Sequence, residues 1–315
     1  MKVVLTGQLG PQEEARWRAE LAAALPAVTW LDPAQARAQA AQVEAAVVAN
    51  PPPGALQGLP ALRLIQSLWA GVDRVLADAT LPQDVPLARM VDPAMNVAMA
   101  ETALWAVLSL HRGFFAYQQQ QRQGVWRQLP QRRADEVKVG VLGFGQMGRT
   151  VARTVAAQGY AVQAWRLHEA PVAPEEGVAV LAGEHGLRAL CADAQVVINL
   201  LPLTERTLRL LDARFFASLP AGASVVNLAR GAHLVDEDLL AALDAGHLAH
   251  AVLDVFATEP LPAGHRFWSH PAVTILPHAA ALTDPRSASA VVAANLRALR
   301  DGRPLAHLVR RDRGY

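Results

Sequence analysis

Short, wholly apolar runs bounded by turn residues alternate with amphipathic stretches along most of the 315-residue chain. Residues 2–6 read as a strand and 12–25 as a helix, with Glu13 and Glu14 set against the positive end of its dipole. A second strand is predicted at 28–31, then Asp32 and Pro33 as an N-cap and first-turn pair. Further strands follow at 45–49 and 62–67, separated by the break at Pro51-Pro52-Pro53-Gly54. Repeated strand–helix units of this kind predict a small parallel-sheet domain. Pro93 interrupts the pattern, and 98–115 then reads as a long helix, apolar nearly all round. Such a helix belongs in a core or an oligomer interface. The polar stretch 118–136 reads either as an excursion over the surface onto a partner subunit or as a plain loop.

A second strand–helix series begins with a strand at 137–142 and runs to about residue 278. It includes a helix at 149–158 closed by Gly159 and a strand at 161–165. Residues 284–300 form one more helix, expected to pack back on the first domain. The expected organisation is therefore a discontinuous domain, 1–97 with 283–315, interrupted by a second domain at 98–282. The fold class is α/β, two Rossmann-like or flavodoxin-like parallel-sheet domains with a cleft between them.

Composition narrows the function without choosing it. The length suits about two domains, and 52% hydrophobic with 18% charged residues is the balance of a globular protein. A net charge of +1 gives no reason to expect a nucleic acid or an anionic membrane as partner. No uninterrupted apolar run is long enough to span a bilayer, and the first residues do not read as a secretory signal, so a cytoplasmic location is expected. Cys191, the only cysteine, excludes an intrachain disulfide and a Cys-pair metal site, and reads as a small buried hydrophobe. No metal is expected.

The chemistry begins at Gly143-Phe144-Gly145-Gln146-Met147-Gly148, which follows a strand and opens a helix, the context a dinucleotide loop requires. Gly143 permits the tight turn and Gly145 lets the backbone approach a pyrophosphate. Gly148 lets helix and strand pack closely. The next strand ends at Trp165 and Arg166, where an NAD site places Asp or Glu. Arg166 suits a 2′-phosphate instead, so NADPH is the expected cofactor; Glu169 nearby counts towards NADH, which stays open.

Downstream, three runs read as buried parallel strands. They are Ser224-Val225-Val226-Asn227-Leu228-Ala229, Ala251-Val252-Leu253-Asp254-Val255-Phe256 and Val273-Thr274-Ile275-Leu276-Pro277. Just past them come Arg230, Glu259 and His278. Open α/β sheets bind ligands outside their strand carboxyl ends. One guanidinium, one carboxylate and one imidazole converging there suit polarising and protonating a carbonyl. His233, His250 and His270 lack such company and are read as structural.

With these motifs in order, the chain resembles the D-isomer-specific 2-hydroxyacid dehydrogenases, and within them the glyoxylate/hydroxypyruvate reductase A branch. The resemblance rests on 143–148, 197–204, 227–231, 253–262 and 277–283, and extends to the ending Arg311-Asp312-Arg313-Gly314-Tyr315. It implies NADPH-dependent reduction of small 2-oxo acids, glyoxylate and hydroxypyruvate, in the cleft between the domains. His278 would be the general acid, Glu259 would pair with it and favour the imidazolium, and Arg230 would hold the substrate carboxylate and carbonyl oxygen. Asp254 would contact the nicotinamide region. Leu200, Pro202, Leu228 and Ala229 would line the cofactor, with Gln146, Met147, Trp165, Thr207 and Ala280 also in its site. The Ser67-Leu68-Trp69-Ala70-Gly71-Val72-Asp73 loop would offer backbone amides to the substrate, with Trp69, Ala70 and Gly71 as its substrate-binding residues. The branch often has Gly-Ala-Gly-Val-Asp there, so Trp69 is a departure that bears on substrate size. Met95 and Asn96 would be hinge-side contacts. The resemblance also implies a homodimer through 98–115 and the stretch after it, with Trp126 either reaching a neighbouring subunit's site or anchoring its own segment. Two other readings remain open, an NAD-dependent dehydrogenase of other D-2-hydroxy acids and a dinucleotide-sensing protein without catalysis.

Overall fold

The structure, a computed structural model, describes residues 1–168 and 177–315. These form two compact units, Met1–Met95 with Thr283–Tyr315, and Asn96–Leu282. The first opens with β1 (Lys2–Gly7), α1 (Pro11–Ala24), β2 (Thr29–Leu31) and α2 (Pro33–Ala38). It continues with β3 (Val43–Ala49), β4 (Leu64–Ser67), α3 (Asp73–Leu76) and β5 (Leu87–Ala88). All its strand pairs are parallel, in the order β2-β1-β3-β4-β5 of a flavodoxin-like sheet. The central β3 is buried except at Glu44, which is why its sequence shows a continuous apolar run rather than alternation. Asp32 caps α2 as expected, accepting from the Gln35 N–H while the Gln35 side chain returns a bond to the Asp32 N–H.

Pro93 does not break the chain's order but starts a helix, α4 (Pro93–His111). At the first helical position its missing N–H costs nothing, and Asp92 Oδ1 accepts from the Ala94 N–H at 3.0 Å. The single helix expected at 98–115 is in fact two. After α4, Gly113 at φ 70° turns the chain into α5 (Phe114–Arg122), which contains the Gln-rich segment read above as excursion or loop. Gln120 is buried there, and Gln119 Nε2 donates to the Pro271 carbonyl. Beyond α5 the chain has no helix or strand until a 3-10 turn at Ala134–Glu136, and Trp126 is 99% exposed.

By length and composition α4 could cross a membrane, with a mean hydropathy of 1.2 over its best window. A core helix passes the same test, and Met99, Ala100, Ala103, Ala106 and Val107 of α4 lie in the core of the second unit, whereas Glu101 is exposed.

The second unit continues with β6 (Lys138–Leu142), α6 (Gln146–Ala156), β7 (Ala161–Arg166), β8 (Val178–Ala182) and α7 (Gly183–Asp193). Then come β9 (Val196–Asn199), α8 (Ala213–Ala217), β10 (Ala223–Asn227), α9 (Asp236–Asp244), β11 (Leu248–Leu253) and β12 (Val273–Ile275). Its parallel sheet runs β12-β11-β10-β9-β6-β7-β8. The strand order reverses between β6 and β9, so the ligand crevice of such a sheet opens at their carboxyl ends. The last helix, α10 (Pro285–Arg300), is capped by Asp284 and packs on α1 of the first unit.

α5 is held to the sheet by a buried imidazole. Phe115 stacks on His250 with ring centroids 4.5 Å apart, and His250 Nε2 lies 2.9 Å from Thr274 Oγ1. Burial first, then the neighbouring His270, pushes the His250 pKa from 6.5 down to about 4. The folded protein thus keeps His250 neutral where the unfolded chain protonates it. Stability from this site is complete above about pH 6.5 and is lost as pH falls towards 4, by up to roughly 3 kcal/mol. Urea unfolding of wild type and His250→Asn across pH 7 to 4.5 checks this; the variant is expected to show the shallower loss, and parallel curves would contradict the assignment.

Candidate active site

Gly143 sits at φ 102°, and its N–H donates to the Trp165 carbonyl at 2.8 Å. A Cβ there would lie 2.8 Å from the Leu200 carbonyl oxygen, and one at Gly148 would lie 1.8 Å from the Gly143 oxygen. Both glycines are demanded by the protein's own packing. Gly145 is not, because an added Cβ would meet nothing within 4 Å. It is the exposed N-cap of α6 and makes no side-chain cap, and the first-turn N–H groups of a helix, here those of Gln146 and Met147 among them, have no acceptor within the helix itself. A bound pyrophosphate gives the third glycine its reason and those donors a partner. The residues present fit a dinucleotide.

Arg166 ends β7 and is partly buried; Glu169 lies outside the described residues. Trp165 is 2% exposed, with its indole donating to the Gly183 carbonyl at 2.8 Å, so it supports the strand from inside the core. Across the switch point, Leu200 and Pro202 are partly exposed. Thr207 is buried and fastens their loop, its hydroxyl donating to the Pro202 carbonyl at 2.7 Å. Leu228 and Ala229 are buried beneath the neighbouring loop.

A fully buried polar network joins these two loops. Asn199 Nδ2 donates to Asn227 Oδ1 and to His233 Nδ1, each at 3.0 Å. That leaves His233 Nε2 to donate to the Pro202 carbonyl, 3.3 Å away. Asn227 Nδ2 donates to the Arg230 carbonyl at 3.0 Å, fixing the backbone from which the guanidinium extends. Arg230 Nη1 itself donates to the Ala229 carbonyl at 2.7 Å. His233 is structural, as read above, but what it supports is the site.

His278 and Glu259 are in direct contact, Nδ1 lying 2.8 Å from Oε2. Glu259 Oε1 accepts from the Phe256 N–H at 2.9 Å, so the carboxylate is fixed at both oxygens. A carboxylate only accepts, so Nδ1 carries the proton and Nε2 is left free to exchange one. His278 sits at φ 54°, a strained conformation for a residue with a Cβ. Asp254, 1% exposed, holds that turn. Its carbonyl accepts from the His278 N–H at 2.8 Å, and its carboxylate from Ala279 N–H at 2.7 Å and Ala280 N–H at 3.1 Å. Thr102 of α4 adds a bond to the Ala280 carbonyl at 2.8 Å. Asp254, expected above to contact the nicotinamide region, thus also clamps the His278 turn.

The first unit carries Trp69, Ala70 and Gly71 one residue beyond β4, all partly buried. Met95 is buried at 5% exposure and Asn96 is partly exposed.

Comparison with known proteins agrees with this arrangement. The profile described as D-isomer specific 2-hydroxyacid dehydrogenase, NAD binding domain, matches residues 104–280. Over 275 residues the chain is 42% identical to a Yersinia enterocolitica protein named glyoxylate/hydroxypyruvate reductase A, covering 86% of this chain and 87% of that one. This chain belongs to the D-isomer-specific 2-hydroxyacid dehydrogenases. Among solved members, a Xanthobacter autotrophicus Py2 dehydrogenase in complex with NADPH and MES superposes with a TM-score of 0.93 at 36% identity, over 100% of this chain and 99% of that one. The NADPH-dependent glyoxylate/hydroxypyruvate reductase of Sinorhizobium meliloti, in complex with NADP and sulfate, gives 0.90 at 34% identity, with the same coverage. Arg230, Glu259, His278 and the glycine loop all fall inside the span that matches the family profile.

Proposed function

We propose that this chain reduces small 2-oxo acids to 2-hydroxy acids, glyoxylate and hydroxypyruvate first, with NADPH preferred over NADH. The observation that carries this reading is the Glu259–His278 couple, 2.8 Å apart beside the carboxyl edge of a dinucleotide-type sheet. When bound, NADPH would supply the hydride for the carbonyl carbon. The chain's residues orient the acid and supply the proton. Arg230 holds the carboxylate and carbonyl oxygen through charge-assisted bonds. His278 Nε2 protonates that oxygen as charge develops on it, while Glu259 keeps the ring aimed through Nδ1. Trp69, Ala70 and Gly71 are assigned to substrate binding as well.

Gly143, Gly145, Gln146, Met147 and Gly148 would hold the pyrophosphate, and Arg166 the 2′-phosphate. Leu200, Pro202, Leu228 and Ala229 would line the nicotinamide side, with Trp165, Thr207, Asp254 and Ala280 supporting from behind. This makes 98–282 the nucleotide domain and 1–97 with 283–315 the substrate domain. We assign the protein to the cytoplasm as a homodimer. The exposed Val97, Trp105, Phe114 and Trp126 on and after α4 support a partner surface there.

Steady-state reduction of glyoxylate with NADPH and then NADH tests the reading. The kcat/KM is expected to favour NADPH by roughly 10- to 100-fold, the value of a charge-assisted arginine–phosphate contact, and Arg166→Ala should erase most of that ratio. Glyoxylate left unreduced by either cofactor would overturn the function. A ratio unchanged in the variant would remove Arg166 from it.

A further inference from the structure

Trp17 belongs to the buried face of α1 and is 0% exposed, yet its indole Nε1–H has no hydrogen-bond partner among the described residues. A buried donor left unmade costs free energy that a phenylalanine in the same place would not, so the indole needs another reason to be there. Its aromatic neighbour supplies one. Trp69 meets Trp17 edge to face, with centroids 6.5 Å apart and planes at 77°, a favoured aromatic geometry.

The backbone of Trp69 has little freedom. Its N–H donates to Ser67 Oγ at 3.0 Å, and its carbonyl accepts from Ser67 Oγ at 3.1 Å and from the Met90 N–H at 3.0 Å. The strand feeding this loop is also pinned. Buried Asn295 of α10 donates to Gln66 Oε1 at 2.7 Å, and Gln66 Nε2 donates to the Ser67 carbonyl at 3.0 Å. With the main chain held, the two side-chain torsions of Trp69 decide how far its ring projects from the loop. Trp17 is the aromatic contact that limits them.

We propose that Trp17 is a positioning residue that sets the Trp69 ring as a size filter, admitting 2-oxo acids with a hydrogen or hydroxymethyl substituent and rejecting aromatic and branched ones. The inference rests on the reading that Trp69 borders the substrate. Trp17, fully buried, touches neither substrate nor cofactor. A smaller side chain at 17 frees the Trp69 ring to swing back and widens the space for the substituent.

The test uses the full-length Trp17→Phe, Trp69→Phe and double variants with NADPH, reading kcat/KM for hydroxypyruvate and for phenylpyruvate. Trp17→Phe removes the unpartnered donor and keeps a ring, so its Tm is expected to hold or rise. It should raise the phenylpyruvate-to-hydroxypyruvate ratio by about 5-fold or more, within the range that small changes of pocket size produce. Trp69→Phe should shift the ratio the same way, and the double variant should shift it less than the product of the two, because one ring is the shared element. A merely structural Trp17 would lower Tm and scale both substrates equally. An unchanged ratio in folded Trp17→Phe, beside a shifted one in Trp69→Phe, overturns the proposal and leaves Trp69 at the substrate. A ratio unmoved by both overturns the substrate-side assignment of Trp69 itself.

Discussion

Replacing His278 with Gln is expected to lower kcat for glyoxylate by roughly 10²- to 10⁴-fold, the usual worth of a positioned general acid. NADPH binding, followed by nicotinamide fluorescence, should stay nearly unchanged, because the glycine loop and Arg166 lie at other strand ends. Glu259 occupies Nδ1 at 2.8 Å, so Nε2 is the only ring nitrogen that can deliver a proton. Glutamine matches the reach of the ring and can donate a hydrogen bond, but it cannot give up a proton near neutral pH. The turn at φ 54° is held by Asp254 through backbone amides, which the substitution leaves in place. A His278→Gln variant with near wild-type kcat would remove the acid from this residue.

Arg230→Ala should show the other large effect, a fall in kcat/KM for glyoxylate of roughly 10²- to 10³-fold, the scale of truncating a desolvated charge pair. Much of it should appear in KM, since a carboxylate is held in ground state and transition state alike. Lysine should not restore it, because a point charge cannot reproduce the planar fork that grips two oxygens. The backbone at Arg230 is fixed by Asn227, whose own side chain is bonded to Asn199. The alanine variant therefore removes the guanidinium while leaving the loop standing. A kcat/KM for glyoxylate within a few-fold of wild type would contradict the clamp; substrate titrations of both proteins decide it.

What could be read from the chain was whatever depends on local pattern. Val225, Val226 and Val252 announce buried strands because both faces of a parallel sheet are covered. Gly143 and Gly148 announce themselves because the packing at those points leaves no room for a Cβ. Two-residue β5 carries no period to detect. It is completed from far along the chain, by an antiparallel bridge between Ala88 and Leu308. Pro93 was ambiguous for a physical reason, since the missing N–H that breaks a helix inside is harmless at its first turn. Asn199 and Asn227 did leave a trace, as polar residues closing apolar strands, but their link to His233 depends on how two loops fold together. The clamp of Asp254 on the His278 turn was hidden the same way, because residues 254 and 279 meet only across neighbouring strands. Trp69 stood out by departing from a family motif; its partner Trp17, more than one strand–helix unit away, did not.

This site is proposed to pass hydride from NADPH to small 2-oxo acids. Initial rates of NADPH oxidation by the purified wild-type protein, with glyoxylate, hydroxypyruvate, pyruvate and phenylpyruvate in turn, test it most directly. Glyoxylate and hydroxypyruvate are expected to have the highest kcat/KM, with phenylpyruvate lower by about 10-fold or more, the range available to steric selection in a pocket. No NADPH oxidation with any of the four, despite NADPH binding, would contradict catalysis altogether, and a preference for phenylpyruvate would contradict the substrate class.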